Sequence, residues 1–108
     1  NGANTANTKL KIISDLAKTK VKIAALSETG YRVTSTNPAV ANWFSTYLYS
    51  ALTDKDIEIA FVMFWNNNND GYYVPTPTAS NATDFIDFAK KPKSALINTL
   101  PNRYVLPK

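Results

Sequence analysis

The chain has 108 residues, 44% of them hydrophobic, and carries 12 Lys and Arg against 8 Asp and Glu. It has no Cys and no His, which excludes thiolate catalysis, disulfide framing, Ser/His triads and the usual zinc ligands. Carboxylates, hydroxyls, amides, Lys and Arg are left to carry any chemistry.

The excess of positive charge is spread out. Lys9, Lys11, Lys18, Lys20 and Lys22 alternate with apolar residues, and Lys90, Lys91 and Lys93 sit near an expected helix end, where cations complement exposed carbonyls. No nucleic-acid partner is implied. No apolar run reaches the roughly 20 residues that span a bilayer, so no membrane span is expected.

Thr8 to Lys18 places Leu10, Ile13, Leu16 and Ala17 at helical spacing, with Asn7 or Thr8 available as N-cap. Val21 to Leu26 follows, short and largely apolar on both alternating faces, as in a strand covered on both sides of a parallel sheet. It ends in Ser27, Glu28, Thr29 and Gly30.

Asn37 and Pro38 read as an N-cap and first helical position, and Val40, Trp43, Phe44, Tyr47, Leu48 and Ala51 then keep the helical period. After a turn over Thr53 to Asp56, Ile57 to Trp65 is dense in β-formers and reads as a second buried strand. The Asn-, Gly- and Pro-rich stretch from Asn66 to Asn81 is a loop. Asn81 caps a short helix containing Asp84, Phe85, Ile86 and Phe88 that ends by Pro92, and Ser94 to Leu100 forms a last helical piece stopped by Pro101.

Alternation of this kind argues for parallel strands joined by crossover helices. Two such strands leave open edges and an apolar face with nothing behind it, so the pattern asks for more protein.

In parallel α/β folds, function gathers at the carboxyl ends of the strands. Glu28 stands at the end of the first strand, where counting alternate positions puts it on one face with Ala24 and Leu26. It is either a solvated turn glutamate or a carboxylate aimed into a barrel mouth. Trp65 closes the second strand, sharing a face with Ile59, Phe61 and Met63, either as a lid on the core or as a platform for a sugar ring. Asn66 to Asn69, Tyr72 and Tyr73 supply amides, hydroxyls and further flat surface nearby.

Ala-Leu-Ser-Glu-Thr-Gly at 25 to 30, a Trp-containing helix, Ile-Ala-Phe-Val-Met-Phe-Trp-Asn-Asn at 59 to 67, Tyr-Val-Pro at 73 to 75 and Asp-Phe-Ile-Asp-Phe at 84 to 88 occur in that order. Together they resemble the C-terminal part of glycoside hydrolase family 26, whose best-known members are endo-β-1,4-mannanases. The resemblance implies an α/β fold: residues 1–108 as the C-terminal fragment of one (β/α)8 TIM barrel, with Val21 to Ser27 as strand seven and Ile57 to Trp65 as strand eight. It further implies that Glu28 is the nucleophile of a retaining hydrolase and that Trp65 lines the sugar site. Asn66, Tyr72 and Tyr73 are the other candidate substrate-binding residues. The family's acid/base glutamate belongs to strand four, outside this stretch, and Asn66 stands where some members carry an arginine.

The partners implied are β-mannan or a related polysaccharide and the remainder of the same barrel, with no cofactor or metal. Two alternatives stay open: the same mechanism on β-1,3-xylan or mixed-linkage β-glucan, and a non-catalytic carbohydrate-binding module stacking sugars on Trp43, Trp65, Tyr72 and Tyr73. A polymeric substrate places the expected location outside the cytoplasm, at the cell surface or in a periplasm. Asn81-Ala82-Thr83 is a glycosylation sequon, meaningful only in a eukaryotic secretory host.

Overall fold

The two strands pair side by side and run parallel, β1 over Leu26–Thr29 and β2 over Val62–Phe64, in a computed structural model that describes residues 2–100. Ladder bonds continue beyond the regular pairing at both ends. Ala60 N–H donates to Ala24 O at 2.8 Å, Leu26 N–H to Phe61 O at 3.0 Å, and Trp65 N–H to Thr29 O at 2.9 Å. β1 therefore shares only Leu26 with the expected Val21 to Leu26 and runs on through Thr29, while β2 occupies only the later part of Ile57 to Trp65; Val21 turns with φ 53° and is 90% exposed.

The register departs from simple alternation. Leu26 faces Val62 and Thr29 faces Phe64, so three steps along β1 match two along β2, which is a bulge at Ser27 and Glu28. Ala24, Leu26 and Thr29 lie toward the helices, while Ser27 and Glu28 are both exposed. Glu28 thus does not share a face with Ala24 and Leu26. Strict alternation would have turned its carboxylate into the helix layer, and the extra residue turns it out to the opposite side. A similar break in β2 puts Ile59 against the helix-side core, leaving Phe61, Met63 and Trp65 together on the other face.

Among the described residues, a helical crossover covers one face of this sheet. A π-helical segment, Trp43–Leu48, runs directly into α2, Tyr49–Thr53, and presents Phe44, Leu48 and Leu52 to Leu26, Val62 and Phe64. Phe44 is 1% exposed and sits at the centre of an aromatic cluster. Phe64 and Phe85 meet its ring edge to face at 5.7 and 5.0 Å between centroids, a favoured arrangement for aromatic quadrupoles. Phe85 and Phe88 come from α3, Ala82–Ala89.

This helix does not start at Asn37 and Pro38. Asn37 is held in the preceding loop, where its backbone and Thr34 exchange hydrogen bonds, its Oδ1 accepts from Tyr31 Oη at 2.8 Å and its Nδ2 donates to Arg32 O. Asn42, at φ 56°, separates that loop from the helix. The cap comes from a distant residue: the Asp84 carboxylate accepts from Phe44 N–H at 2.9 Å and Ser45 N–H at 3.0 Å, and also from the Ser45 hydroxyl. A negative charge at that end satisfies orphan donors and favours the helix dipole.

α1, Gly2–Thr19, is longer than its apolar spacing suggests, and its buried residues are Asn7 and Ser14. Asn7 is no N-cap. It lies within the helix, and its amide donates to the carbonyls of Ser50, Ala51 and Asp54 at 3.3, 3.3 and 3.1 Å, closing the C-terminal end of α2. Ser14 Oγ accepts from Glu58 N–H at 2.9 Å. Because these polar groups occupy the packed side, Ile13 and Leu16 point away from the core with Ile12 and are exposed.

The last expected helical piece is a single 3-10 turn, Ile97–Thr99, and Pro101 lies outside the described residues. No helix among the described residues is long and apolar enough to cross a membrane.

Candidate active site

Glu28, Trp65 and Tyr73 are brought to one end of the sheet by backbone contacts. Glu28 leaves β1 at the bulge, and the next carbonyl, that of Thr29, accepts from Trp65 N–H, so the tryptophan stands at the adjacent strand end. Gly30 then carries the chain away with φ 139°, a conformation side chains rarely adopt. A Cβ on Gly30 would lie 2.7 Å from Tyr73 Cδ1 and 3.1 Å from Tyr73 Cβ, so the tyrosine ring fills the place of a side chain there. Gly30→Ala is expected to push Tyr73 aside and to cost about 1–3 kcal/mol, read as a lowered denaturation midpoint in the complete protein.

The exposed face of the second strand below these residues is apolar. Met63 is 56% exposed and Phe61 49%, while Trp65 itself is 46% exposed. Trp65 is therefore no lid on the helix-side core, whereas Trp43 is packed between Tyr31 and Phe44 at 6.1 and 4.8 Å.

The loop after Trp65 is ordered by its own side chains. Asn67 Oδ1 accepts from Tyr73 N–H at 2.8 Å and Val74 N–H at 3.1 Å, and its Nδ2 donates to Val74 O at 2.7 Å. Asn68 Oδ1 accepts from Asp70 N–H at 3.0 Å, and Asn68 and Gly71 bond reciprocally to form a tight hairpin. Tyr72 pairs with Val33 through both backbone groups, and its hydroxyl donates to Asn81 Oδ1 at 3.0 Å. Asn66 is exposed beside Trp65.

Asn81 precedes α3 as expected, but its side chain makes no cap bond and is tied to Tyr72 instead. It is 8% exposed, so the sequon asparagine is buried in the fold.

All 8 acidic residues fall among those described, and their surroundings separate Glu28 from the rest. Glu58 pairs with Lys18 at 3.1 Å at the start of the second strand, and Asp15 pairs with Lys11 at 2.6 Å on α1. Asp84 is the helix cap. Asp70, in the hairpin, lies 3.8 Å from Arg32. Asp54 and Asp56 flank the turn before β2, and Asp87 is on the exposed side of α3. Glu28 is the carboxylate that the sheet itself delivers to its carboxyl end.

Sequence reasoning missed Asn67 and Asp84 as organising residues. The Asn-rich run was a visible signal for the first, although it suggested amides offered to a sugar rather than amides spent on the loop. Nothing local marks Asp84 as the cap of a helix some forty residues earlier.

Glu28 and Trp65 thus stand at the ends of adjacent parallel strands, with helices behind them. No family model and no curated protein matches the chain. Among solved structures, GH26C from a Muricauda species matches 98% of this chain at 48% identity and a TM-score of 0.91, over 29% of its own length. An endo-β-1,4-mannanase of glycoside hydrolase family 26 from Cellulomonas fimi matches 92% at 23% identity and a TM-score of 0.79, over 23% of its own length. A double mutant of the Cellulomonas fimi mannanase matches 88% at 24% identity and a TM-score of 0.76, over 22% of its own length.

The chain belongs to glycoside hydrolase family 26, as the ordered motifs from residue 25 to residue 88 suggested. It spans less than a third of the length of each of these structures.

Proposed function

We propose that the protein carrying this chain is a retaining endo-glycosidase that hydrolyses β-1,4-mannosidic linkages, and that Glu28 is its nucleophile. The observation that carries the reading is the bulge at Ser27 and Glu28, which turns a lone carboxylate out at the end of a parallel strand beside Trp65. In this reading the chain is the C-terminal part of a (β/α)8 barrel, with its two strands as strands seven and eight.

Retaining hydrolysis needs two carboxyl groups about 5–5.5 Å apart, one attacking the anomeric carbon and one protonating the departing oxygen, then activating water. Glu28 supplies the first. The second comes from the rest of the barrel, which covers the bare face of Phe61 and Met63. Trp65 offers its ring to the apolar face of a sugar, with Asn66 at its side. Tyr73 walls the site next to Gly30, and Tyr72, the other candidate, holds the loop through Asn81. A substrate of polymer size places the enzyme outside the cytoplasm.

Mannan is favoured by the two Cellulomonas fimi mannanase structures, which are 24% and 23% identical to this chain. The panel that tests the assignment is mannan, galactomannan, β-1,3-xylan and mixed-linkage β-glucan, offered to the complete protein. Shortened oligosaccharides are expected from the mannans, with the first-formed anomer keeping the β configuration by proton NMR. Release from xylan or glucan alone would move the specificity, and saccharide binding without hydrolysis would favour a non-catalytic module.

A further inference from the structure

We infer that Asn67 is a positioning residue of this site, holding Tyr73 against the turn that follows Glu28. The inference rests on the hydrolase reading above and deepens it.

Asn67 is exposed, yet its side chain is spent on the protein's own backbone: the acceptor oxygen takes two N–H groups and the amide nitrogen returns one bond to Val74 O. A planar amide with a donor and an acceptor copies the edge of a neighbouring strand, so residues 73 and 74 are held as if paired. No other side chain of the described Asn66 to Asn69 run makes more than one such bond to the loop in the hydrogen bonds seen.

The clamp acts at a particular place. Two residues before Asn67, Trp65 N–H bonds Thr29 O, and on the far side of the clamp Tyr73 presses its ring onto Gly30. One amide therefore couples the ends of both strands to the wall that stands two residues beyond Glu28. If the clamp is cut, residues 66–74 remain closed at the hairpin by Asn68 and Gly71 and at the Val33 bridge by Tyr72, but Tyr73 is released from its place.

The effect falls on chemistry more than on stability. Trp65 keeps its own ladder bond, so the grip on the sugar is largely retained, whereas the space into which the anomeric carbon and the Glu28 carboxylate must fit is no longer bounded on one side. Displacement of reacting groups by about 1 Å can lower turnover by about 100-fold.

The test compares Asn67→Ala and Asn67→Asp with the unaltered complete protein, using a mannan oligosaccharide for kinetics and amide hydrogen exchange at Tyr73 and Val74 for structure. Asn67→Ala is expected to lower kcat by about 10- to 100-fold with little change in KM or in unfolding midpoint, and to speed exchange at both amides. Asn67→Asp keeps the two acceptor bonds and loses the donor, so its kcat should lie between the two. Faster exchange with unchanged kcat would overturn the positioning role, and unchanged exchange would overturn the clamp. If the unaltered protein cleaves no β-glycan, the hydrolase reading and the catalytic part of the proposal fall together, while exchange at 73 and 74 still decides the clamp.

Discussion

Glu28→Gln in the complete protein is expected to leave the fold and polysaccharide binding intact and to reduce turnover by about 10⁴-fold or more, equivalent to about 5 kcal/mol of transition-state stabilisation. The substitution is nearly isosteric at an exposed position that no fold-defining hydrogen bond or ion pair described above uses, so the bulge and the Trp65 to Thr29 ladder bond persist. What disappears is the negative charge able to bond to the anomeric carbon. A truncated form, Glu28→Ala, gives the complementary result: azide enters the vacated space, forms the bond to carbon that the carboxylate would have formed, and yields a glycosyl azide of inverted configuration when an activated aryl glycoside is supplied. Loss of turnover without azide rescue would be the pattern of a positioning carboxylate. Substantial activity in Glu28→Gln would remove Glu28 from the chemistry altogether.

The alternation of apolar stretches with a helix-period stretch was sufficient to read parallel strands and a crossover, because burial of the helix side imposes those periods. Periodicity failed where the backbone inserts a residue. Counting by twos along Ala24, Leu26 and Glu28 reaches the wrong face, since a bulge is set by pairing with Val62 and Phe64 and leaves no mark on the local sequence. Glu28 was nevertheless singled out, because its position after an apolar stretch and before Thr29 and Gly30 does not depend on parity.

Helix boundaries were obscured by polar residues with distant partners. Asn37 has the composition of a cap, but it closes the loop beginning at Tyr31, and the helix end it was expected to cap is served by Asp84. Asn7 likewise looks like a local N-cap and is instead a buried donor to three carbonyls of the neighbouring helix end. Short polar side chains favour helix ends in general, and sequence alone does not say which end they serve. On α1 the same ambiguity shifted the packed face, which keeps Leu10 and Ala17 but takes in Asn7 and Ser14 and leaves Ile13 and Leu16 exposed.

The identity of the polymer rests on a narrower base than the fold. The structure that is 48% identical is a family 26 protein from Muricauda, while the two described as mannanases are 23% and 24% identical, a level at which likeness carries the architecture. The chain contributes Trp65, Asn66 and Tyr73 to one wall of the proposed site. Sugar identity at the scissile bond is decided by what faces that wall, because a ring stacked on tryptophan presents its hydroxyls to the opposite side.

That missing wall leads to the second large expected effect: the isolated 108-residue chain releases no reducing sugar from mannan, at any concentration at which the complete protein is active. Attack by Glu28 alone forms one bond while the leaving oxygen, unprotonated, departs as a poor alkoxide. Protonation requires a second carboxyl group about 5–5.5 Å away, and in the proposed reading that group lies outside these residues. Glu58 is paired with Lys18, Asp15 with Lys11, and Asp84 with the helix end. The exposed row of Phe61, Met63 and Trp65 adds a physical consequence, since large apolar side chains on one open sheet face bind hydrophobic dyes and favour association. Strong dye binding by the isolated chain, suppressed when the rest of the barrel is supplied and accompanied by recovery of Glu28-dependent hydrolysis, is the expected result. Hydrolysis by the isolated chain that Glu28→Gln abolishes would show instead that an acid/base group exists within these residues.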